Sequence, residues 1–284
     1  MIIFEIMLLL FMLFSIMMIT LMERKVLGVF NYRKSPNFFF MNSLFQSLMD
    51  FIKLMTKKVL KLNFIMKNYW VMMIFFGIMM FFFIMLNYPF LNSVTYFYMN
   101  FFFFFMIYAL MAFFFLLLSY SSNSFFSMLS MYRVLVQIMS YEVGLIFMFF
   151  FPLILMNVFN FYFYYFSSNL VFFSVVYIYL IILIALSEMN RLPFDFLESE
   201  TELVSGFNIE YMSSLFSFIF LVEYGFFLYM MMILSFFFFL NDLFVLMMIF
   251  FVIWTRSFLP RLRYDKMLYY FWKEIIMMIM FLYL

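Results

Sequence analysis

The chain has 284 residues, of which 70% are hydrophobic and 11% charged, and its net charge at pH 7 is +2. Because soluble domains contain roughly 45–50% apolar and about 25% charged residues, this composition excludes a water-soluble protein and indicates an integral membrane protein. Cysteine and histidine are both absent, which removes the ligands of iron–sulfur clusters, most zinc sites and most haems.

Eight stretches are apolar enough for membrane-spanning helices, which need about 20 such residues. In chain order we place them at 2–22, 69–88, 97–118, 135–156, 170–187, 211–234, 243–254 and 268–284, with the seventh beginning near Phe236. Helices packed side by side in lipid need no soluble core. We therefore expect an all-α, polytopic protein with eight transmembrane helices, forming one membrane domain over residues 1–284.

The first span carries Glu5 and has no basic residue before it, unlike a signal or transit peptide. We therefore expect a retained first helix. The chain contains 55 Phe and 34 Met but only 5 Gly and 5 Pro, so residues with A/T-rich codons are abundant. Our hypothesis is an A/T-rich genome that reads an isoleucine codon as methionine, as animal mitochondria do.

The basic residues are distributed unevenly between the two sides of the predicted bundle. All 16 Lys and Arg lie in or beside alternate connections between spans. Under the positive-inside rule, both termini face outward and the long polar connections face the matrix or the cytoplasm.

The first long connection, at about 23–68, contains a helical pattern. Leu44, Leu48, Phe51 and Met55 recur at helical spacing, and polar residues fill much of the rest. This pattern predicts an amphipathic helix at about 41–61, lying in the membrane interface. The alternative is a solvated loop with a basic tail.

Charged residues also cluster at the ends of two spans. The clusters are Glu23, Arg24 and Lys25 after the first span, and Arg256, Arg261 and Arg263 after the seventh. Such residues are typical of stop-transfer charges at a helix end. They would equally suit a polar mouth that admits a lipid-like molecule with a polar head.

The second long connection, at about 188–210, contains six carboxylates. Glu188 and Arg191 are three residues apart and can pair if they are helical, whereas Pro193 should stop or kink a helix. Glu198 and Glu202 would share a helix face, where like charges raise each other's pKa. The alternative is a hydrated loop of independent acids.

Two isolated acids lie inside predicted spans, Glu142 in the fourth and Glu223 in the sixth. Buried acids without an adjacent basic residue should face a wet cavity or be protonated. Both are therefore candidates for a proton path. The alternatives are an interfacial ion pair between Glu142 and Arg133, and a neutral Glu223 hydrogen-bonded to a neighbouring helix.

Several longer motifs resemble those of one protein family. They are MERKVLG at 22–28, YRKSPN at 32–37, YSSNS at 120–124, SYEVGL at 140–145, SEMNRLPFDF at 187–196, ELVSGFNIEY at 202–211 and RSFLPRLRYD at 256–265. In order and spacing they resemble the chain 1 subunits of mitochondrial NADH:ubiquinone oxidoreductase, the respiratory complex I. The resemblance covers nearly the whole chain.

The resemblance implies an eight-span bundle in the mitochondrial inner membrane, with the long charged loops facing the matrix and both termini facing the intermembrane space. It implies that the chain forms much of a ubiquinone tunnel, couples quinone reduction to proton transfer and is active only within the assembled enzyme. NADH, FMN and iron–sulfur clusters would belong to partner subunits of the membrane and peripheral arms. Ubiquinone and membrane lipids would be further partners, and we expect no nucleic acid.

The resemblance also implies two sets of site residues and no metal site. The quinone tunnel would involve Arg24, Arg33, Asp50, Lys53, Arg191, Phe207 and Arg256. The proton path would involve Glu142, Glu188, Asp195, Glu198, Glu200, Glu202, Glu210 and Glu223.

Four positions depart from the family's pattern. Ser35 and Ser199 stand where the family usually has Gly, Leu192 replaces Thr, and Lys58 replaces Glu. The glycine losses restrict backbone torsions, and Lys58 weakens any role for an acid there. Two other functional classes remain as alternatives: an autonomous ion-coupled transporter, and the membrane anchor of a related hydrogenase.

Overall fold

The fold is taken from a computed structural model. It describes residues 2–33, 45–57, 67–86, 100–156, 175–195, 211, 213–238 and 242–283. Within these ranges the regular structure is entirely helical, which confirms the predicted all-α class.

The helices follow one another along the chain with short interruptions. They are α1 (Ile2–Phe30), α2 (Gln46–Thr56), α3 (Lys67–Leu86), α4 (Asn100–Ser122), α5 (Phe125–Met156), α6 (Val175–Glu188), α7 (Ser214–Phe238), α8 (Asp242–Phe258), α9 (Tyr264–Tyr270), a π-helical turn (Phe271–Ile275) and α10 (Ile276–Tyr283). The last three are continuous and form one helical rod.

Three helices in the described part of the chain, α4, α5 and α7, are long and apolar enough to cross a membrane. Shorter apolar helices occur within α3, α6 and α8. The protein is therefore a multi-pass membrane protein. The count of eight crossings, their orientation and the single-domain boundaries stay predictions.

Two boundaries of the predicted spans are wrong. Residue Phe236 belongs to the end of α7, not to the seventh span, which begins at Asp242. The fourth span begins ten residues earlier than predicted, at Phe125. The cause is a helix cap, because the Ser124 hydroxyl accepts a hydrogen bond from the Ser127 backbone amide at 3.3 Å.

The core of the bundle is built from aromatic side chains on α4, α5 and α7. Phe104 is fully buried, and its ring centroid lies 5.2 Å from that of Phe149 and 5.8 Å from that of Tyr229. The helices also approach closely at glycine: a Cβ atom on Gly225 would lie 3.2 Å from the Phe81 ring. These contacts pack α7 against both α3 and α4.

The short helix α2 packs against both α1 and α7. Leu48 and Phe51 of the predicted apolar stripe are half-buried, but Met55 is exposed, and Leu44 lies outside the described residues. A helix therefore lies within the predicted range 41–61, over Gln46–Thr56, and its amphipathic character stays a prediction. Its position in a membrane interface remains a prediction.

Candidate functional site

A cavity of about 490 Å³ lies between α1, α2 and α7. One part of its wall is apolar and contains Leu13, Ile16 and Leu221. The other part is polar and contains Glu23, Arg24, Ser47, Asp50, Tyr224 and Arg256. The cavity therefore suits a molecule with an apolar portion and a polar head.

An ion pair joins α1 to α2 at the polar side of this cavity. The Arg24 guanidinium lies 3.2 Å from the Asp50 carboxylate, and the two side chains are 45% and 42% exposed. Exposed pairs of this kind contribute about 0–1 kcal/mol. The pair therefore does more to place the two side chains than to stabilise the fold.

A second, buried cluster surrounds Glu23, which is only 5% exposed. Its carboxylate lies 3.1 Å from the Arg191 guanidinium and 3.3 Å from that of Arg256. The Tyr224 hydroxyl donates a 2.6 Å hydrogen bond to the same carboxylate. One carboxylate thus connects α1, α7, α8 and the loop after α6.

Arg191 is held in this cluster by aromatic contacts as well as by charge. Its guanidinium carbon lies 4.6 Å from the Tyr224 ring centroid and 5.2 Å from that of Phe227. Burial disfavours the charged form, but the neighbouring Glu23 and Tyr224 outweigh it and raise the Arg191 pKa above its usual range. The guanidinium therefore stays charged.

A smaller cavity of about 140 Å³ lies on the other side of this cluster. Its polar lining residues are Tyr108, Glu188, Asn190, Arg191, Asp195, Glu223, Tyr224 and Arg256. Phe220, Tyr224 and Arg256 line both cavities. These three side chains therefore form a shared wall.

Glu188 is buried beside the smaller cavity, and neither carboxylate oxygen has a hydrogen-bond partner among the described residues. Glu188 and Arg191 could pair only if a helix continued between them, but α6 ends at Glu188 and Arg191 pairs with Glu23 instead. The Tyr108 hydroxyl and the Asn190 side-chain oxygen are also unpartnered in this part of the chain. Polar groups buried around a cavity of this size are usually hydrogen-bonded by water.

The loop that carries the acids is fixed against α5 by Gln137. Its side-chain amide donates hydrogen bonds to the carbonyls of Ser187 at 2.6 Å and Phe194 at 3.1 Å. Asp195, at the end of this segment, lies 3.3 Å from the Arg261 guanidinium. The segment is therefore attached to the bundle at both of its ends.

The predicted tunnel residues are only partly brought together. Arg24, Asp50 and Arg256 line the larger cavity, and Arg191 reaches it through Glu23. The exposed residues Arg33 and Lys53 do not line it. Phe207 lies outside the described residues.

The predicted proton-path acids are likewise only partly brought together. Glu188, Asp195 and Glu223 line the smaller cavity. Glu142 is half-buried in α5 and lines neither cavity. The remaining predicted acids, Glu198, Glu200, Glu202 and Glu210, lie outside the described residues.

Sequence reasoning missed the central roles of Glu23 and Tyr224. Glu23 was assigned only to a cluster of charges at a helix end, although it is the one acid in a run with two basic residues. That single negative charge beside two positive ones could have indicated a partner for distant basic residues. Its partners are 168 and 233 residues away along the chain, and nothing in the local pattern identifies Tyr224.

The fold defines a multi-pass membrane protein, and the larger of its two described cavities has a wall that is part apolar and part charged. The chain belongs to the NADH dehydrogenase family, whose model matches residues 4–284.

Individual relatives support the same membership. The chain is 34% identical to NADH-ubiquinone oxidoreductase chain 1 of Apis mellifera ligustica over 278 residues, covering 94% of this chain and 90% of that protein. It is 36% identical to the protein of that name from Rhipicephalus sanguineus, covering 95% and 88%. The corresponding protein of Aedes aegypti is 34% identical, with coverage of 92% and 86%.

Proposed function

We propose that this chain is a core membrane subunit of an NADH:ubiquinone oxidoreductase and that its larger cavity receives ubiquinone. The observation that carries the proposal is a 490 Å³ cavity with an apolar wall and a charged end, in a chain whose relatives are named NADH-ubiquinone oxidoreductase chain 1. The mitochondrial inner membrane, with the charged connections in the matrix, is the corresponding location. NADH oxidation and electron delivery would belong to partner subunits.

The lining of the larger cavity fits this substrate. Ubiquinone has a ring with two carbonyl oxygens and an apolar tail, and on reduction it takes up two electrons and two protons. The Ser47 hydroxyl is buried at the cavity wall without a hydrogen-bond partner among the described residues. It can donate to a carbonyl, as can Arg24, while Leu13 and Ile16 would contact the tail.

The shared wall provides a way for events in one cavity to affect the other. Negative charge that develops near Arg256 would compete with Glu23 for that guanidinium. The negative charge of Glu23 would then be balanced mainly by Arg191. Arg191 lines the smaller cavity together with Glu188 and Glu223. In this way quinone reduction would bias the protonation of acids on the far side of the wall.

The proposal is tested by replacing Arg256 with alanine in the assembled enzyme. We expect the apparent KM for ubiquinone to rise roughly tenfold, which corresponds to about 1.4 kcal/mol. NADH oxidation by a water-soluble artificial acceptor, which takes electrons upstream, should stay unchanged and would show that the complex is assembled.

The matched control is Arg263→Ala, seven residues further along the chain. Arg263 is 73% exposed, pairs with Asp265 and does not line the cavity. Its loss should leave the KM unchanged. Equal KM values for the two variants would remove the larger cavity from the quinone path.

A further inference from the structure

A single tyrosine interrupts the apolar sequence of α4. Residues 101–118 are Phe, Leu, Ile, Met and Ala apart from Tyr108, whose hydroxyl is the one side-chain oxygen in that stretch. Tyr108 is 1% exposed, and its ring centroid lies 5.5 Å from that of Phe226 and 6.3 Å from that of Phe104. A phenylalanine could fill the same packing position, so packing does not account for the hydroxyl.

Tyr108 lines the smaller cavity, and its hydroxyl oxygen is buried. That oxygen has no hydrogen-bond partner among the residues that the structure describes. A buried hydroxyl that is left unpaired costs free energy, and the hydroxyl of a buried tyrosine usually finds a partner. The cavity is the place where such a partner can bind.

Two groups that accept hydrogen bonds line the same cavity. Both carboxylate oxygens of Glu188 and the side-chain oxygen of Asn190 are buried, and they have no partner in the described part of the chain. An ionised carboxylate and an amide oxygen only accept hydrogen bonds, whereas the Tyr108 hydroxyl can donate one. The donor and the acceptors therefore face one cavity without reaching each other directly.

Water can connect these groups because the cavity has the necessary volume. It measures about 140 Å³, and a cavity needs at least about 10–15 Å³ and two to four polar partners to hold one water. Several waters therefore fit. Three stronger donors at the cavity are directed elsewhere, since Arg191, Arg256 and Tyr224 bind the Glu23 carboxylate.

We propose that Tyr108 is a positioning residue, whose hydroxyl donates a hydrogen bond to water in the smaller cavity, and that this water in turn donates to the Glu188 carboxylate. A water that accepts from Tyr108 has both of its own hydrogens available for Glu188 and Asn190. Hydrogen bonds arranged head to tail in this way polarise and strengthen one another. Tyr108 thereby orients the water beside a carboxylate that it does not touch.

The consequence for proton transfer rests on the proposed function, in which Glu188 gains and loses a proton. The hydrogen-bonded arrangement itself does not depend on quinone binding, because Tyr108 does not line the larger cavity. The two proposals can therefore fail separately.

A density map of the assembled enzyme that resolves water tests the arrangement directly. We expect a water within about 2.5–3.0 Å of the Tyr108 hydroxyl, linked to Glu188 directly or through a second water. Tyr108→Phe keeps the ring and removes only the hydroxyl, so a map of this variant should lose that water. A Tyr108 hydroxyl bonded to a protein group or a lipid, or the same waters in both maps, would overturn the proposal.

Proton pumping by the same variant tests the positioning role. Tyr108→Phe should slow pumping driven by NADH and ubiquinone roughly two- to tenfold, which corresponds to the loss of one hydrogen bond. The apparent KM for ubiquinone should stay unchanged, since Tyr108 lies outside the lining of the larger cavity. The matched control is Tyr120→Phe on the same helix, because Tyr120 is 44% exposed and lines neither cavity. The control variant should pump normally.

A double variant identifies the group through which the hydroxyl acts. Combining Tyr108→Phe with Glu188→Gln should slow pumping no further than Glu188→Gln alone, because two changes in one hydrogen-bonded network are not additive. Losses that multiply, or slow pumping in Tyr108→Phe beside normal pumping in Glu188→Gln, would show that Tyr108 acts elsewhere. Normal pumping in Tyr108→Phe would likewise refute the positioning role. An unchanged KM in Arg256→Ala would refute the quinone proposal and leave these results unaffected.

Discussion

Replacing Glu23 with glutamine should destabilise the protein more than any other single loss of charge at the site. The substitution keeps the size of the side chain but leaves Arg191 and Arg256 facing a neutral amide at 3.1 and 3.3 Å. Breaking a buried ion pair from one side costs about 3–5 kcal/mol. Because the two arginines are 15% and 27% exposed, solvent screens part of this, and we expect about 2–4 kcal/mol.

The assay is the thermal midpoint at which this subunit leaves the assembled complex. A loss of this size should lower that midpoint on the order of 5–10 °C, using the usual relation between stability and melting temperature. The apparent KM for ubiquinone should rise in the same variant, because Arg256 would lose its position at the cavity wall.

Asp50→Asn is the matched control for Glu23→Gln. It makes the same chemical change in the pair with Arg24, where both side chains are almost half exposed. Its expected cost is at most about 1 kcal/mol, with a correspondingly small shift of the midpoint. Equal shifts of the midpoint for the two variants would show that the buried ion pairs of Glu23 with Arg191 and Arg256 add no more stability than an exposed pair.

Three further predictions concern the smaller cavity. Glu188→Gln should leave assembly unchanged, since the carboxylate has no partner among the described residues. It should nevertheless lower the number of protons pumped per electron pair. Normal pumping would exclude Glu188 from the proton path. Gln137→Leu leaves the carbonyls of Ser187 and Phe194 without their donor. It should lower the thermal midpoint by the equivalent of about 1–3 kcal/mol. An unchanged midpoint would show that other contacts hold the loop after α6. Glu223→Gln should reduce pumping more than Glu142→Gln, because only Glu223 lines the cavity; the reverse order would indicate a route outside it.

Hydropathy predicted most of the helices because their residues are almost all apolar. It failed at the start of α5, where Ser127, Ser130 and Arg133 lower the mean hydropathy although the helix has already begun. Those serine hydroxyls are satisfied inside the helix, as when Ser130 donates to the Ser127 carbonyl at 2.7 Å. Local capping and hydrogen bonding, not hydropathy, decided that boundary.

The site was less predictable because its contacts join distant parts of the sequence. Resemblance identified Arg24 and Arg256, which line the larger cavity. Spacing allowed Glu188 to pair with Arg191 only if the helix continued past Glu188, and it does not. The actual partner of Arg191 is Glu23, which lies 168 residues earlier in the chain, and no local pattern contains that contact.

The shared wall of Phe220, Tyr224 and Arg256 has a thermodynamic consequence. A molecule that fills one chamber and moves any of these side chains changes the shape of the other chamber as well. Linkage makes this effect reciprocal for binding equilibria. Protonation beside Glu188 changes the affinity for an amphipathic ligand by some factor, and that ligand must change the affinity for the proton by the same factor. Titrating either compartment therefore measures the coupling in both directions.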